Sequence, residues 1–290
     1  MPEGQLDLLI FEQLVEPFDR TASLLTEILE ELNAGESGRA ASAGLFALAV
    51  SQVEAAFSDT LLYVLTRNPW RMEFEELQVK RADVLSAEFA REILEIHAEE
   101  LVRKWSYGSK ELLFKRFQKV LALPESMLAD KNMGFTRLRE RRNAILHQRL
   151  RDGDKSGSSG TWVSPEEASG CVSQCLAFAT DVSAAIRERY SSHTRVAALR
   201  RLWSHLFESP IMQFDDYWII DEEEDRVVAT KADAPVGSLA KSERMILGLW
   251  RAEFNGDASL LADFHMKHLT PRRQRDLVTL IAALRDIWVY

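Results

Sequence analysis

Arg142, Asn143 and His147 are the residues whose types and spacing could do chemistry together: a guanidinium, an amide and an imidazole fall within one short stretch. On a helix turning about 100° per residue, Arg142 lies near the centre of a stripe formed by Phe135, Leu138, Ile145 and Leu146. Glu140, Asn143 and His147 form the adjoining polar flank. An unpartnered guanidinium in an apolar stripe is costly, so Arg142 is expected to face an anion, a subunit interface or a cleft. Asn143 and His147 are one turn apart, which lets the amide orient the imidazole while Arg142 reaches round from the side. The three could converge on one phosphate. Such a set suits RNA cleavage by the neighbouring 2′-hydroxyl, with His147 moving a proton and Arg142 holding charge on the phosphoryl oxygens. That route needs neither metal nor cofactor, and deoxyribose lacks the attacking hydroxyl.

Spacing alone is a weak signal. Arginine followed after four to six residues by histidine occurs five times, at Arg91/His97, Arg141/His147, Arg142/His147, Arg187/His193 and Arg200/His205. Only Arg142 is followed directly by a polar amide and then by Ala144, Ile145 and Leu146. The bland alternative is a helix-end histidine with an arginine in a salt bridge, its partner being Glu140 or an acid on another helix.

The surrounding charge favours an anionic ligand. The chain of 290 residues carries a formal charge of −9, yet residues 103–151 hold thirteen Lys or Arg against four acids. A local +9 thus sits on a remainder of −18, which excludes a protein that coats nucleic acid with its whole surface but leaves one polyanion-attracting region. Arg137, Arg139, Arg141, Arg149 and Arg151 are the candidates for holding an RNA backbone. Apolar content of 46% and charged content of 28% are those of a globular protein. No run is read as long enough to span a bilayer and no signal peptide is seen, so a cytoplasmic location without membrane partners is expected.

The elements that must position these residues read as helices. Apolar spacing predicts helices over about 6–33, 41–66, 86–105, 109–122 and 133–150, the second uniformly apolar and central, the last carrying the motif. Residues 152–161 form a Gly/Ser loop. Ser164, Pro165, Glu166 and Glu167 start a helix to about residue 190, with another over 196–207. Runs 216–220 and 226–231 around an acidic turn predict a hairpin, followed by helices over 242–254, 258–268 and 270–288. The expected fold is mainly α, a helical domain over 1–208 and a C-terminal α-rich module over 209–290 with one β-hairpin.

Glu140 to His147 resembles the signature of the HEPN family (higher eukaryotes and prokaryotes nucleotide-binding), on a late helix of an α bundle. Gly44 to Phe57 resembles the early helix of HEPN proteins from bacterial defence and toxin loci, and Trp162 to Glu167 the capped final helix. The resemblance covers roughly residues 10–190. It implies a HEPN-type helical bundle that pairs with a second copy, so that two sets of Arg142, Asn143 and His147 line one cleft and cleave RNA without metal. It also implies a homodimeric toxin or antiviral defence effector, with an antitoxin or regulatory protein as a further partner. Arg149 stands where one toxin branch has a modified tyrosine, which puts that form of control in doubt. The alternative within the family is a non-catalytic adaptor or oligomerisation module that binds RNA, a nucleotide or a partner protein.

Other groups read as structural. Cys171 and Cys175 face one side of a helix, where a disulfide is hard to close. His265 and His268 with Asp263 are too few for a zinc site. Residues 221–225 read as a charged hairpin tip rather than an acidic catalytic cluster.

Overall fold

Seen in a computed structural model, the chain is mainly helical with one two-stranded antiparallel hairpin. The structure describes residues 7–34, 38–68, 71–72, 90–107, 112–151, 163–207, 212–256 and 287, and only the backbone at 39, 90–94, 112, 125–132 and 147–151. The expected loop over 152–161, the helix over 258–268 and nearly all of that over 270–288 lie outside the described residues.

The chain divides into two compact units, Phe11–Ser191 and Ser192–Tyr290, the second joined by the N-terminal stretch that ends at Ile10. In the first unit, α1 (Phe11–Asn33) and α2 (Arg39–Arg67) are followed by α3 (Ala90–Tyr107) and α4 (Leu112–Val120). The motif helix α5 (Glu125–Arg151) and α6 (Pro165–Tyr190) complete it. The motif helix starts eight residues earlier than the spacing predicts. Pro124 directly precedes its first turn. As expected, α6 has Ser164 as its cap, the hydroxyl accepting from the Glu167 amide, with Pro165 in the first turn.

Helix α2 is the centre of this unit, packing against α1, α3, α4, α5 and α6. Contrary to the sequence reading, residues 40–67 are long and apolar enough, by length and composition, to cross a membrane. The bundle gives that composition a local reason: Phe46, Ala49, Val50, Val53, Phe57, Leu61 and Val64 are all buried. Phe57 is the hub, its ring meeting Phe18 at 5.1 Å and Phe117 at 4.6 Å edge-on, and Phe178 at 5.8 Å. Phe135 of α5 stacks on Phe178 at 4.8 Å, and each such pair adds about 1 kcal/mol beyond burial. Phe135, Leu138 and Ile145 are therefore the anchors that fix the rotation of α5. Arg142, seven residues from Phe135 and so two turns along the same face, is carried inward with them.

The second unit has its own core around Trp203, which lies 4.3 Å from Phe207, 5.1 Å from Trp250 and 5.3 Å from Tyr217, ring to ring. The Trp203 indole donates to the Met212 carbonyl at 2.7 Å. Helix α7 (Arg195–Leu206) belongs here, because Val196, Leu199, Leu202, Trp203 and Leu206 are buried in this core. For that reason the division falls at 191/192 rather than at 208/209. After a helical turn, α8 (Phe214–Tyr217), come β1 (Trp218–Asp221), β2 (Arg226–Thr230) and α9 (Lys241–Phe254). The first strand begins later than expected because Asp216 is still in that turn, its amide donating to the Gln213 carbonyl at 3.1 Å. Gly256 closes α9 with φ of 70°, a conformation suited to glycine at a helix end.

Candidate functional site

Arg142 reaches from α5 to α2. Its Nη2 donates to Glu54 Oε2 at 2.6 Å and its Nη1 to Ser51 Oγ at 3.0 Å. Arg139, one turn earlier, donates through Nε to the other oxygen of Glu54, and through Nη2 to the Ser106 carbonyl of α3 at 3.4 Å. The anion that the apolar stripe demands of Arg142 is thus Glu54, on another helix. This is also the arrangement that the salt-bridge alternative requires.

The cluster is largely sheltered: the side chains of Arg139, Arg142 and Glu54 are 12%, 15% and 18% exposed. Among the described residues one carboxylate serves two guanidiniums, where solvent screens poorly. The Arg142 Nε is buried with no hydrogen-bond partner. The hydrogen bonds to Glu54, Ser51 and the Ser106 carbonyl fix the direction in which the two guanidiniums point. Serine packing is also organised around it, since Ser58 Oγ and Ser106 Oγ lie 3.4 Å apart beside Arg139.

The remaining candidates are distributed differently. Asn143 is exposed, on the outward side of α5 next to Arg142. His147 lies one turn further along α5, and its side chain, like those of Arg149 and Arg151, is outside the described residues. Arg137 is exposed. Arg141 pairs with Glu167 at the start of α6, both side chains 41% exposed, so it ties α5 to α6. The structure therefore brings Arg142 and Arg139 together and leaves Asn143 and Arg137 facing solvent.

Glu54 and Ser51 were not singled out in the sequence, although a signal existed. Glu54 is an isolated acid between Val53 and Ala55 in an apolar helix, and a carboxylate partly withdrawn from water needs a cation for the same reason that Arg142 needs an anion. Cys171 and Cys175 are both buried and unbonded. Burial raises the Cys175 thiol to about 12, so it stays protonated and unreactive at neutral pH. Among the described residues no group of three or more His, Cys, Asp or Glu side chains is placed to hold a metal ion; His265 and His268 lie outside them. No family model, curated protein or solved structure matches the chain.

Proposed function

We propose that the first unit is a metal-independent endoribonuclease of HEPN type, acting as a toxin or antiviral defence effector. The observation that supports this most is the cluster of Arg139 and Arg142 on the single carboxylate of Glu54, beside Asn143 and one turn from His147. Two guanidiniums fixed by one acid supply an oriented cation for a phosphoryl group whose charge grows in the transition state. In this reading His147 takes the proton of the 2′-hydroxyl or delivers one to the departing 5′-oxygen. The 2′-oxygen bonds to phosphorus as the 5′-oxygen leaves, and the products are a 2′,3′-cyclic phosphate and a 5′-hydroxyl. Asn143 positions the imidazole, Arg137, Arg149 and Arg151 attract the backbone, and a second copy of the chain supplies the other half of the cleft.

A second reading is favoured by the Arg142–Glu54 ion pair itself, which is what a purely structural clamp between α2 and α5 would look like. The two separate in one experiment: purified protein is incubated with RNA in excess EDTA, alongside Arg142→Ala, His147→Ala and a 2′-deoxy substrate. The nuclease gives cleavage with cyclic phosphate ends, lost in both variants and absent on deoxyribose. The clamp gives intact RNA throughout, while Arg142→Ala lowers the melting temperature.

A further inference from the structure

The second unit holds a short segment that is far in sequence from the rest of it. Among the described residues its core runs from Val196 to Ile287, with two exceptions: Leu8 and Ile10 are buried in the same cluster as Leu199, Trp203 and Trp250. Residues 7–10 form neither helix nor strand, yet these two side chains, two residues apart, both enter that core. The polar contacts hold the main chain of the segment. Arg201 of α7 donates through Nε to the Asp7 carbonyl at 2.7 Å and through Nη2 to the Leu9 carbonyl at 3.3 Å. The Asp7 carboxylate is itself buried; one oxygen accepts from the Leu9 amide at 3.0 Å, and the other lies 3.7 Å from His193 Nε2. Directly after Ile10 the chain enters α1 and leaves this unit.

These are the parts of a peptide receptor: donors that read backbone carbonyls whatever the sequence, and apolar positions that accept alternate side chains. One guanidinium spanning two carbonyls makes both bonds charge-assisted. A carboxylate taken out of water beside an imidazole adds a demand for an acid at the first position. We infer that the second unit is a recognition module for a short segment of the form Asp-aliphatic-x-aliphatic, and that residues 7–10 are its resident ligand, bound in cis. The partner it fits is a protein presenting a segment of the same chemistry, which enters by displacing the chain's own. A tethered segment acts at an effective concentration of about millimolar, so a free peptide competes poorly until the resident one is released. The inference is independent of the RNA chemistry proposed for the first unit.

The test uses the full chain and a fluorescent peptide with the sequence of Asp7 to Gln13. Leu8→Ser with Ile10→Ser releases the segment and lowers the amide-exchange protection of Leu199, Trp203 and Trp250. The released variant binds the peptide, and that protection returns as peptide is added. Wild type binds it roughly tenfold more weakly or worse, because its site is filled, and a peptide with Ser at both aliphatic positions does not bind. Arg201→Met in the released variant weakens binding by about tenfold. In the otherwise unchanged chain Arg201→Met speeds exchange at Leu9 and Ile10 and leaves Leu199 and Trp203 protected. A released variant that neither binds the peptide nor regains protection overturns the inference, since residues 7–10 are then an inseparable part of the core. So does wild type binding the peptide as tightly as the released variant, which would put the peptide elsewhere. Exchange at Leu9 and Ile10 that rises only together with that at Leu199 and Trp203 also overturns it.

Discussion

Two charge clusters among the described residues are of similar size, and burial makes them different objects. In the first unit Glu54 binds Arg139 and Arg142 with no side chain of the three more than 18% exposed. In the second unit Arg200 bridges Asp215 at 3.1 Å and Glu222 at 2.9 Å, with exposures of 38%, 58% and 67%. Burial works against the Arg200 charge, but bonds to Glu222 and Asp215 outweigh it and hold its proton more tightly. The first cluster lies where water screens weakly, the second where water screens well. The sheltered pairs join α2 to α5, whereas the exposed pairs fasten a hairpin tip to a neighbouring helix.

The largest expected effect follows from removing the shared carboxylate. Glu54→Ala leaves two sheltered guanidiniums facing each other, and urea unfolding of the full chain is expected to show a loss of about 3 kcal/mol in the first unit. Glu54→Gln, which keeps acceptor and shape but loses the charge, falls between that and wild type. Inorganic sulfate should recover part of the loss in Glu54→Ala, because the anion occupies the vacated position between the cations. A loss below about 1 kcal/mol would mean that the cluster behaves like an exposed pair, and the contrast between the two units would fail.

A smaller effect belongs to Asp225, the member of the hairpin tip that caps a neighbouring helix. Its carboxylate accepts from the backbone amides of Arg195 and Val196, the latter at 2.9 Å, while Thr194 Oγ1 accepts from Ala197 at 3.1 Å. The first three amides of α7 are thereby satisfied. Asp225 also has φ of 46°, in the left-handed region, which Asn and Gly tolerate better than Ala. Asp225→Ala is expected to cost about 1.5 kcal/mol through the lost cap and the backbone conformation together. Asp225→Gly relieves the backbone and retains only the cap loss, so it should be milder than Asp225→Ala in thermal melts. Equal losses would show that the φ angle carries no cost.

The sequence made Arg142 legible as a residue in need of an anion, because period and composition alone place it in the stripe of Phe135, Leu138 and Ile145. It could not identify the anion. Glu54 lies 88 residues away, and which turn of α2 meets which turn of α5 depends on how the Phe57, Phe135 and Phe178 rings interlock, a matter of packing rather than pattern. Arg139 and Arg141 stand alike as candidates for holding an RNA backbone because neighbouring arginines look alike in a sequence; their positions on the helix send one to Glu54 and the other to Glu167. The cap at Ser164 and the glycine end at Gly256 were legible since they are set by residues in contact along the chain. The unit boundary was not, since Val196 and Trp203 look equally suited to either core until the aromatic partners around Trp203 are known.

The smallest effect is the most informative about the exposed cluster. Removing either Arg200 or Glu222 alone changes several contacts, since Arg200 also holds Asp215, so the pair is isolated by a double-mutant cycle with Arg200→Ala and Glu222→Ala. The coupling energy is expected to be about 0.5 kcal/mol at low salt and to fall toward zero in about 1 M salt, where the screening length shrinks to about 3 Å. Repeating the cycle on Arg142 and Glu54 should give a coupling several times larger that salt reduces little, because those side chains have few solvent-facing atoms for ions to approach. If both couplings were equally salt-sensitive, shelter could not be what separates the two clusters, and the first would lose its physical claim to be a phosphate-binding centre.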